Sequence, residues 1–170
     1  KPKNIVSGDF YWITKVENQV IIAAADCTGH GVPGAFMSML GVSFLNDIIS
    51  KEYMTNPGVV LRRMRKEVIN ALNQQGSIGE RRDGMDVSLC TINMDTMELQ
   101  FAGANNPLYI IRAKSKDAIE CDYRLEHNNQ VLYEIKGDKM PVAMYAKMDR
   151  FKTVEINIQK DDILYMFSDG

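Results

Sequence analysis

The chain has 170 residues, of which 45% are hydrophobic and 25% charged, with a formal net charge of -2 at pH 7. This length and composition are those of a single soluble globular domain with a core of its own. The slight negative charge argues against nucleic acid or an anionic membrane as the main partner. Three cysteines without paired spacing indicate neither a disulfide framework nor a zinc site, and they favour a cytoplasmic location.

The ends of the sequence and its apolar stretches bear on its context. No stretch reaches the roughly 18 consecutive apolar residues that a membrane-spanning helix needs, so no direct membrane insertion is expected. The chain begins in a polar segment and stops on a Ser-Asp-Gly motif. We therefore expect one domain, residues 1–170, cut from upstream sequence and truncated at its C-terminus.

The first half of the chain predicts two strands and then two helices. Aromatic and β-branched residues over 8–26 predict two strands joined by a polar turn at residues 17–19. A helix is predicted to begin near Pro33, with apolar residues three and four apart. A second helix is predicted to begin near Pro57 and to end at Gly76.

The second half of the chain predicts strands throughout. A β-meander is predicted from DVSLCTINM, ELQFAGA and PLYIIRA, and residues 114–130 read as an insertion or a long hairpin end. Three more strands follow, of which the last two are predicted to form a hairpin through KDD. The order of strands, two helices and more strands predicts an α+β fold of antiparallel sheets with helices packed outside.

The loop after the second strand is unusually rich in glycine. Gly29, Gly31 and Gly34 fall within six residues, whereas an ordinary strand-to-helix turn needs one glycine or one capping residue. This density predicts that something comes close to the backbone there.

Three aspartates share one context, each at the junction of an apolar strand and a glycine-containing turn. They are Asp9, Asp26 and Asp169. A carboxylate at such a position is costly unless it is paired or hydrogen-bonded, and Mg²⁺ or Mn²⁺ would satisfy it through oxygen ligands. Any one of them alone is more simply explained as a turn or cap residue, the role expected of Asp83 before Gly84. The residues therefore indicate an acidic metal site without choosing a reaction.

Five segments, in this order, resemble the SpoIIE-like bacterial branch of the metal-dependent (PPM, type-2C-like) serine/threonine protein phosphatases. They are SGDF, ADCTGHGVPGAFMSM, DGMDVSL, FAGANNPLYIIR and LYMFSDG, and the resemblance covers essentially the whole chain. It implies a layered α-β-β-α sandwich of two mainly antiparallel sheets with helices on the outer faces. It also implies two Mn²⁺ or Mg²⁺ ions and hydrolysis of phosphoserine or phosphothreonine by a metal-activated water.

The resemblance implies roles for particular residues. Asp9 and Asp169 would be metal ligands and Asp26 the bridging and catalytic ligand. Gly29 would be the backbone-carbonyl donor, with Cys27 as the alternative. The family supplies one more aspartate from an Asp-Asp pair downstream of Ser-Asp-Gly, which this sequence does not contain, so the 170-residue form is expected to lack a ligand. Asp161–Asp162 precedes Ser-Asp-Gly and is predicted to be a hairpin turn instead.

Four residues near these motifs carry two interpretations each. His30 either orients a water or donates a proton, or it braces the glycine loop. Cys27, in place of the family's usual valine, is either a thiol ligand or a side chain kept off the metals. Asp86 either approaches the metals or a third ion, or caps its strand. Thr28 either binds a metal-associated water or braces its own turn.

The segment AGANNP departs from the family's commoner Ala-Gly-His-Asn-Pro. A histidine role therefore does not transfer to Ala104. Asn105 and Asn106 are predicted to form a tight turn rather than to bind substrate. His127, in a polar stretch, is predicted to be exposed.

The expected partners follow from the resemblance. They are a phosphoprotein substrate, such as an anti-sigma-factor antagonist, and an upstream sensor domain; a homodimer partner would serve regulation equally. The helix that directly follows the metal loop suggests that such a partner gates the metal centre. The alternative function is a catalytically inactive phosphatase-fold module that binds a signalling partner.

Overall fold

The computed structural model describes residues 7–76 and 83–168, which form nine strands and two helices. The strands are β1 (Phe10–Val16), β2 (Gln19–Cys27), β3 (Met85–Asn93), β4 (Glu98–Ala104), β5 (Leu108–Ala113), β6 (Tyr123–His127), β7 (Gln130–Ile135), β8 (Val154–Asn157) and β9 (Ile163–Tyr165). The helices are α1 (Val32–Leu45), which continues into a π-helical turn (Asn46–Lys51), and α2 (Pro57–Ala71).

The strands form two antiparallel sheets. The first sheet has the order β1-β2-β3-β4-β8 and the second the order β6-β7-β5-β9. The predicted class, an α+β sandwich of two mainly antiparallel sheets, is confirmed. Both helices lie on the outer face of the first sheet, and within the described residues no helix covers the second sheet.

Two sequence predictions about strand pairing are wrong. The predicted β3-β4-β5 meander is broken, because β5 belongs to the second sheet and residues 105–107 carry the chain across. The predicted hairpin of β8 and β9 is also absent, since β8 pairs with β4 and β9 with β5. Both errors have one cause: alternation of apolar residues shows which face of a strand is buried, but not which sheet the strand joins.

Two hydrophobic clusters fill the sandwich. The helix-side core lies between the first sheet and the helices and includes Ala25, Leu61 and Leu89. The inter-sheet core lies between the two sheets and includes Phe101 and Ile110. Because successive side chains of a strand point to opposite faces, the central strands β2–β4 contribute residues to both cores in alternation.

The C-terminus of α2 differs from the prediction. The helix ends at Ala71 instead of Gly76. Asn73 already adopts a left-handed conformation, with φ of 48°, which an α-helix cannot continue. Asparagine tolerates this conformation better than most residues, so it ends the helix before the glycine is reached.

The stretch Val32–Lys51 corrects the expectation that no segment is long enough to cross a membrane. Its 20 helical residues have a mean hydropathy of 1.4, and one-third of the most apolar window is buried. Length and composition alone do not separate a membrane span from a core helix. Met37, Leu45 and Ile48 of this stretch pack into the helix-side core, as the apolar side chains of a core helix do.

A buried ion pair joins β5 to the connection between β8 and β9. The side chains of Arg112 and Asp162 are 3% and 2% exposed, and the guanidinium donates to both carboxylate oxygens at 2.5–3.1 Å. Arg112 also donates to the carbonyl oxygens of Asp117 (2.9 Å) and Asn157 (2.8 Å). Asp162 is therefore a structural anchor and not a hairpin-turn residue.

Substitution Asp162→Ala should lower the free energy of unfolding by about 3–5 kcal/mol, because it leaves the Arg112 charge buried without a neutralising carboxylate. Urea unfolding followed by circular dichroism measures this. The matched control is Asp47→Ala, which removes an exposed acid paired with Lys51 and should cost less than about 1 kcal/mol. If both variants lost the same free energy of unfolding, the buried pair would stabilise the fold no more than the exposed one.

Candidate metal centre

Acidic side chains from three neighbouring strands meet at one end of the first sheet. Asp26 of β2 lies directly opposite Asp86 of β3. Phe10 pairs with Ala25, which brings Asp9 to the same end of the sheet, beside Asp26. Because their neighbours in each strand point into the helix-side core, all three acids face the inter-sheet side.

The second sheet reaches this acidic row through Ser168. The Ser168 hydroxyl donates to Asp9 Oδ2 at 3.0 Å. Asp169, the predicted second-metal ligand, follows Ser168 in the sequence but lies outside the described residues, so its role stays a prediction.

Asparagine residues extend the row to β4. Asn105 Nδ2 donates to Asp86 Oδ1 at 2.7 Å, and Asn106 Nδ2 donates to the Asp86 carbonyl oxygen at 3.2 Å. The predicted turn is present, with the Asn106 N–H bonded to the Ala104 carbonyl at 2.7 Å and Asn105 at φ of 58°. Sequence reasoning found the turn and missed the side-chain contact, which depends on the pairing of β3 with β4.

The glycine loop comes close to its own chain. Gly29 and Gly31 have φ of 96° and 63°, which favour glycine. A Cβ atom at Gly34 would lie 2.7 Å from the Gly29 carbonyl oxygen, and one at Gly8 would lie 2.9 Å from it. The expectation of a close approach is confirmed, and the Gly29 carbonyl is held beside the residue that precedes Asp9.

The donor set fits a hard cation. Carboxylates of Asp9 and Asp26 and the Gly29 carbonyl are oxygen donors of the kind that Mg²⁺ and Mn²⁺ prefer. Within residues 7–76 and 83–168, no three His, Cys, Asp or Glu side chains approach closely enough to enclose a metal ion. A Mg²⁺ site does not require this, since the ion usually keeps several waters and takes only one or two protein carboxylates.

The burial of Cys27 favours the second of its two interpretations, a side chain kept off the metals. Its side chain is 3% exposed and belongs to the helix-side core, opposite to the face of Asp26. Burial, with smaller contributions from the charges of Asp26 and Asp9, raises the pKa of the thiol to about 12. A neutral thiol pointing away from the acids is a poor ligand for a hard metal.

Thr28 joins two segments and does not brace its own turn. Its N–H donates to the Gly84 carbonyl at 2.9 Å, and its Oγ1 accepts from the Gly84 N–H at 3.1 Å. This exchange continues the β2–β3 pairing beyond the last strand residues. The hydroxyl therefore fixes the glycine loop to the start of β3.

His30 is exposed next to a cavity of about 590 Å³ beside the glycine loop. The cavity is also lined by Phe36, Leu40, Leu72 and Asp83. The position suits either interpretation of His30, because the side chain is accessible and still belongs to the loop. His127 is exposed in β6, as predicted.

Comparison with known proteins places these features in a family. A family model described as Stage II sporulation protein E (SpoIIE) matches residues 17–170. Phosphoserine phosphatase RsbU of Bacillus subtilis (strain 168) is 23% identical over 170 residues, covering 99% of this chain and 44% of RsbU. The chain thus spans less than half the length of that relative.

Two solved structures have the same fold. The SiaA-PP2C domain of Pseudomonas aeruginosa superposes with a TM-score of 0.73 at 23% identity, covering 98% of this chain and 57% of that one. RsbX in complex with magnesium gives a TM-score of 0.65 at 14% identity, covering 99% and 69%. Because the family model covers residues 17–170, the chain belongs to the SpoIIE family, and its fold is that of the PP2C domain it superposes on.

Proposed function

We propose that this chain is an Mn²⁺- or Mg²⁺-dependent phosphatase domain that hydrolyses phosphoserine or phosphothreonine on a regulatory protein. The supporting observation is the pair Asp9 and Asp26 at adjacent strand ends, tied to the second sheet by Ser168, in a chain of the SpoIIE family. RsbU is named a phosphoserine phosphatase and RsbX was crystallised with magnesium, which supports the same reaction class here.

Four residues would hold the ions in this proposal. They are Asp9, Asp26, Asp169 and, through its carbonyl, Gly29. When bound, two divalent ions supply a nucleophilic water at neutral pH and positive charge for the phosphoryl oxygens. Asp26 lies between Asp9 and Asp86 in the row, a central position that suits a ligand shared by two ions.

The chain's own contribution is to fix these oxygens before the substrate arrives. Asp26 is the penultimate residue of a nine-residue strand paired on both edges, so its Cα has little freedom. His30, exposed at the loop beside Asp26, is assigned the proton that the leaving serine or threonine oxygen takes up, because an accessible imidazole can act as a general acid.

The proposal extends to the setting of the domain. We assign it a cytoplasmic phosphoprotein substrate such as an anti-sigma-factor antagonist. Regulation comes from an upstream sensor or a second copy of the chain. Both partners would act through α1, which begins one residue after Gly31 of the glycine loop.

Removal of the Asp26 carboxylate should abolish metal-dependent activity. In the intact protein, Asp26→Asn should lower Mn²⁺-dependent phosphate release from a phosphoserine peptide by about 100-fold or more, since even indirect partners of metal ligands contribute about 10–100-fold. Chelation with EDTA should stop the wild-type reaction and added Mn²⁺ should restore it.

The matched control for Asp26→Asn is Asp95→Asn, which removes one negative charge from the exposed turn at the opposite end of β3 and should leave the rate unchanged. Failure of the wild-type protein to release phosphate at any Mn²⁺ concentration would refute the proposal. It would leave the non-catalytic binding module as the function of the fold.

The close approach at Gly34 should be required for metal binding. In Gly34→Ala the new Cβ would meet backbone atoms of Gly29 and Gly8 at 2.7–3.1 Å, so the loop must shift, and we expect Mn²⁺ affinity to fall by about 10-fold with a loss of stability of about 1–3 kcal/mol.

The control for Gly34→Ala is the same substitution two turns along α1. Gly41→Ala would instead press on side-chain atoms of Phe10 and Met85, at 2.7–3.0 Å, and should destabilise the fold while Mn²⁺ affinity stays within a factor of two. Calorimetry gives the affinities and urea unfolding the stabilities. If both variants bound Mn²⁺ as tightly as the wild type, the loop would not position the site.

Replacement of Cys27 should leave the metal centre intact. Cys27→Val fills nearly the same volume in the helix-side core, so we expect a change in stability below about 1.5 kcal/mol and no change in Mn²⁺ affinity or rate. A fall of Mn²⁺ affinity by tenfold, measured by calorimetry, would return the thiol to the ligand set.

A further inference from the structure

We propose that Asn105 is a positioning residue of the metal centre: its amide orients the Asp86 carboxylate, which in turn accepts hydrogen bonds from water beside a cation held at Asp26. This inference rests on the proposed function, because it assigns a task to side chains next to that function's ligands. The observation behind it is the juxtaposition of Asn105, Asp86 and Asp26 on three adjacent strands.

Asp86 stands directly opposite a second carboxylate, an arrangement that a nearby cation or its waters would stabilise. Residues directly opposite in an antiparallel pair have Cβ atoms about 4.5–5.5 Å apart, and like charges there are destabilising. Two carboxylates this close repel each other, and the repulsion is stronger at a partly buried site than in bulk water. Asp26 and Asp86 are such a pair, on the face that Asp9 shares.

The Asn105 amide is aimed by its backbone. Its φ of 58° is a conformation that asparagine accepts more readily than most residues, and it turns the chain at the end of β4. The Asn105 N–H is held by the Asp138 carbonyl at 2.9 Å, and Asn106 Nδ2 bonds the Asp86 carbonyl oxygen at 3.2 Å. The turn and the strand it serves are thus linked through both backbone and side chains.

Close packing leaves this turn little room to relax. A Cβ atom at Gly103 would lie 2.2 Å from the Asn106 carbonyl oxygen, and one at Gly137 would lie 2.7 Å from it. Because neither glycine has a Cβ, the Asn106 carbonyl packs directly against the backbone at residues 103 and 137. Packing therefore fixes the backbone from which the Asn105 side chain projects before any ligand binds.

The chemical type of the donor matters as much as its direction. An amide fixes one carboxylate oxygen without adding positive charge, whereas a lysine or arginine would cancel the attraction for a cation. Outer partners of this kind orient the groups around a metal and typically contribute about 10–100-fold in metal affinity or activity. If position 105 served only to turn the chain, glycine would suffice, because it adopts the same φ without an amide that bonds Asp86.

Substitutions at Asn105 and Asp86 separate the turn from the amide contact. Asn105→Gly in the intact protein keeps the left-handed turn and removes only the amide, and Asp86→Asn keeps the shape and removes the charge. Calorimetry gives the Mn²⁺ dissociation constant of each variant without any substrate, and phosphate release from a phosphoserine peptide gives kcat and KM. The control for loss of one charge is again Asp95→Asn, at the opposite end of β3.

We expect each of the two variants to bind Mn²⁺ about 10-fold more weakly and to lose kcat with KM unchanged. The double variant should be no worse than Asp86→Asn, because the amide acts only through that carboxylate. Additive losses in the double variant, or wild-type Mn²⁺ affinity in Asn105→Gly, would overturn the positioning role.

Two safeguards keep the outcome interpretable. If Asn105→Gly fails to fold, the test depends on Asp86→Asn, which removes a repulsion and keeps the shape of the side chain. Unchanged Mn²⁺ affinity and kcat in Asp86→Asn would overturn the inference. A wild-type protein that shows Mn²⁺-dependent release, with both variants unaffected, refutes this inference only. A wild-type protein without Mn²⁺ binding or release refutes the proposed function itself.

Discussion

The placement of three carboxylates at one end of the first sheet is the constraint on which the candidate site depends. Strand register enforces it: β2 and β3 pair over nine residues, and a slip by one residue would turn Asp26 towards the helix-side core and its apolar neighbours outward. Burial of residues such as Ile21 and Leu89, both fully buried, offsets the electrostatic cost. The hydrophobic core therefore determines where the acids lie, and the acids contribute nothing to that choice.

Local patterns in the sequence were enough for the elements and for part of the site. Alternating apolar residues predicted the strands, and Asp9 and Asp26 were recognisable because each interrupts such a pattern beside a glycine. The sheet to which each strand belongs was not predictable in this way. Leu108 and Ile110 of β5 alternate like residues of β4, yet they enter the inter-sheet core from the opposite side.

Proximity in sequence is a poor guide to which side chains lie beside Asp26, because strand geometry determines it. Cys27 adjoins Asp26 in the chain, but successive strand residues face opposite sides, so the thiol lies in the helix-side core. Asn105 is far from Asp26 in the chain and yet joins the same row, because β3 and β4 pair in a register that no short motif encodes. The role of a side chain that depends on two strand pairings cannot be predicted from short sequence motifs.

The acidic side chains at the two ends of the sandwich have different kinds of partner. At the end away from the acidic row, Asp162 is buried against Arg112, and the pair is neutral as a whole. At the other end, Asp9 accepts from the Ser168 hydroxyl and Asp86 from the Asn105 amide, donors that orient a carboxylate without adding a charge. An acid that only holds the fold together is best matched by a cation within the protein. An acid that must attract a cation from solution is better held by neutral donors, because its charge then remains available.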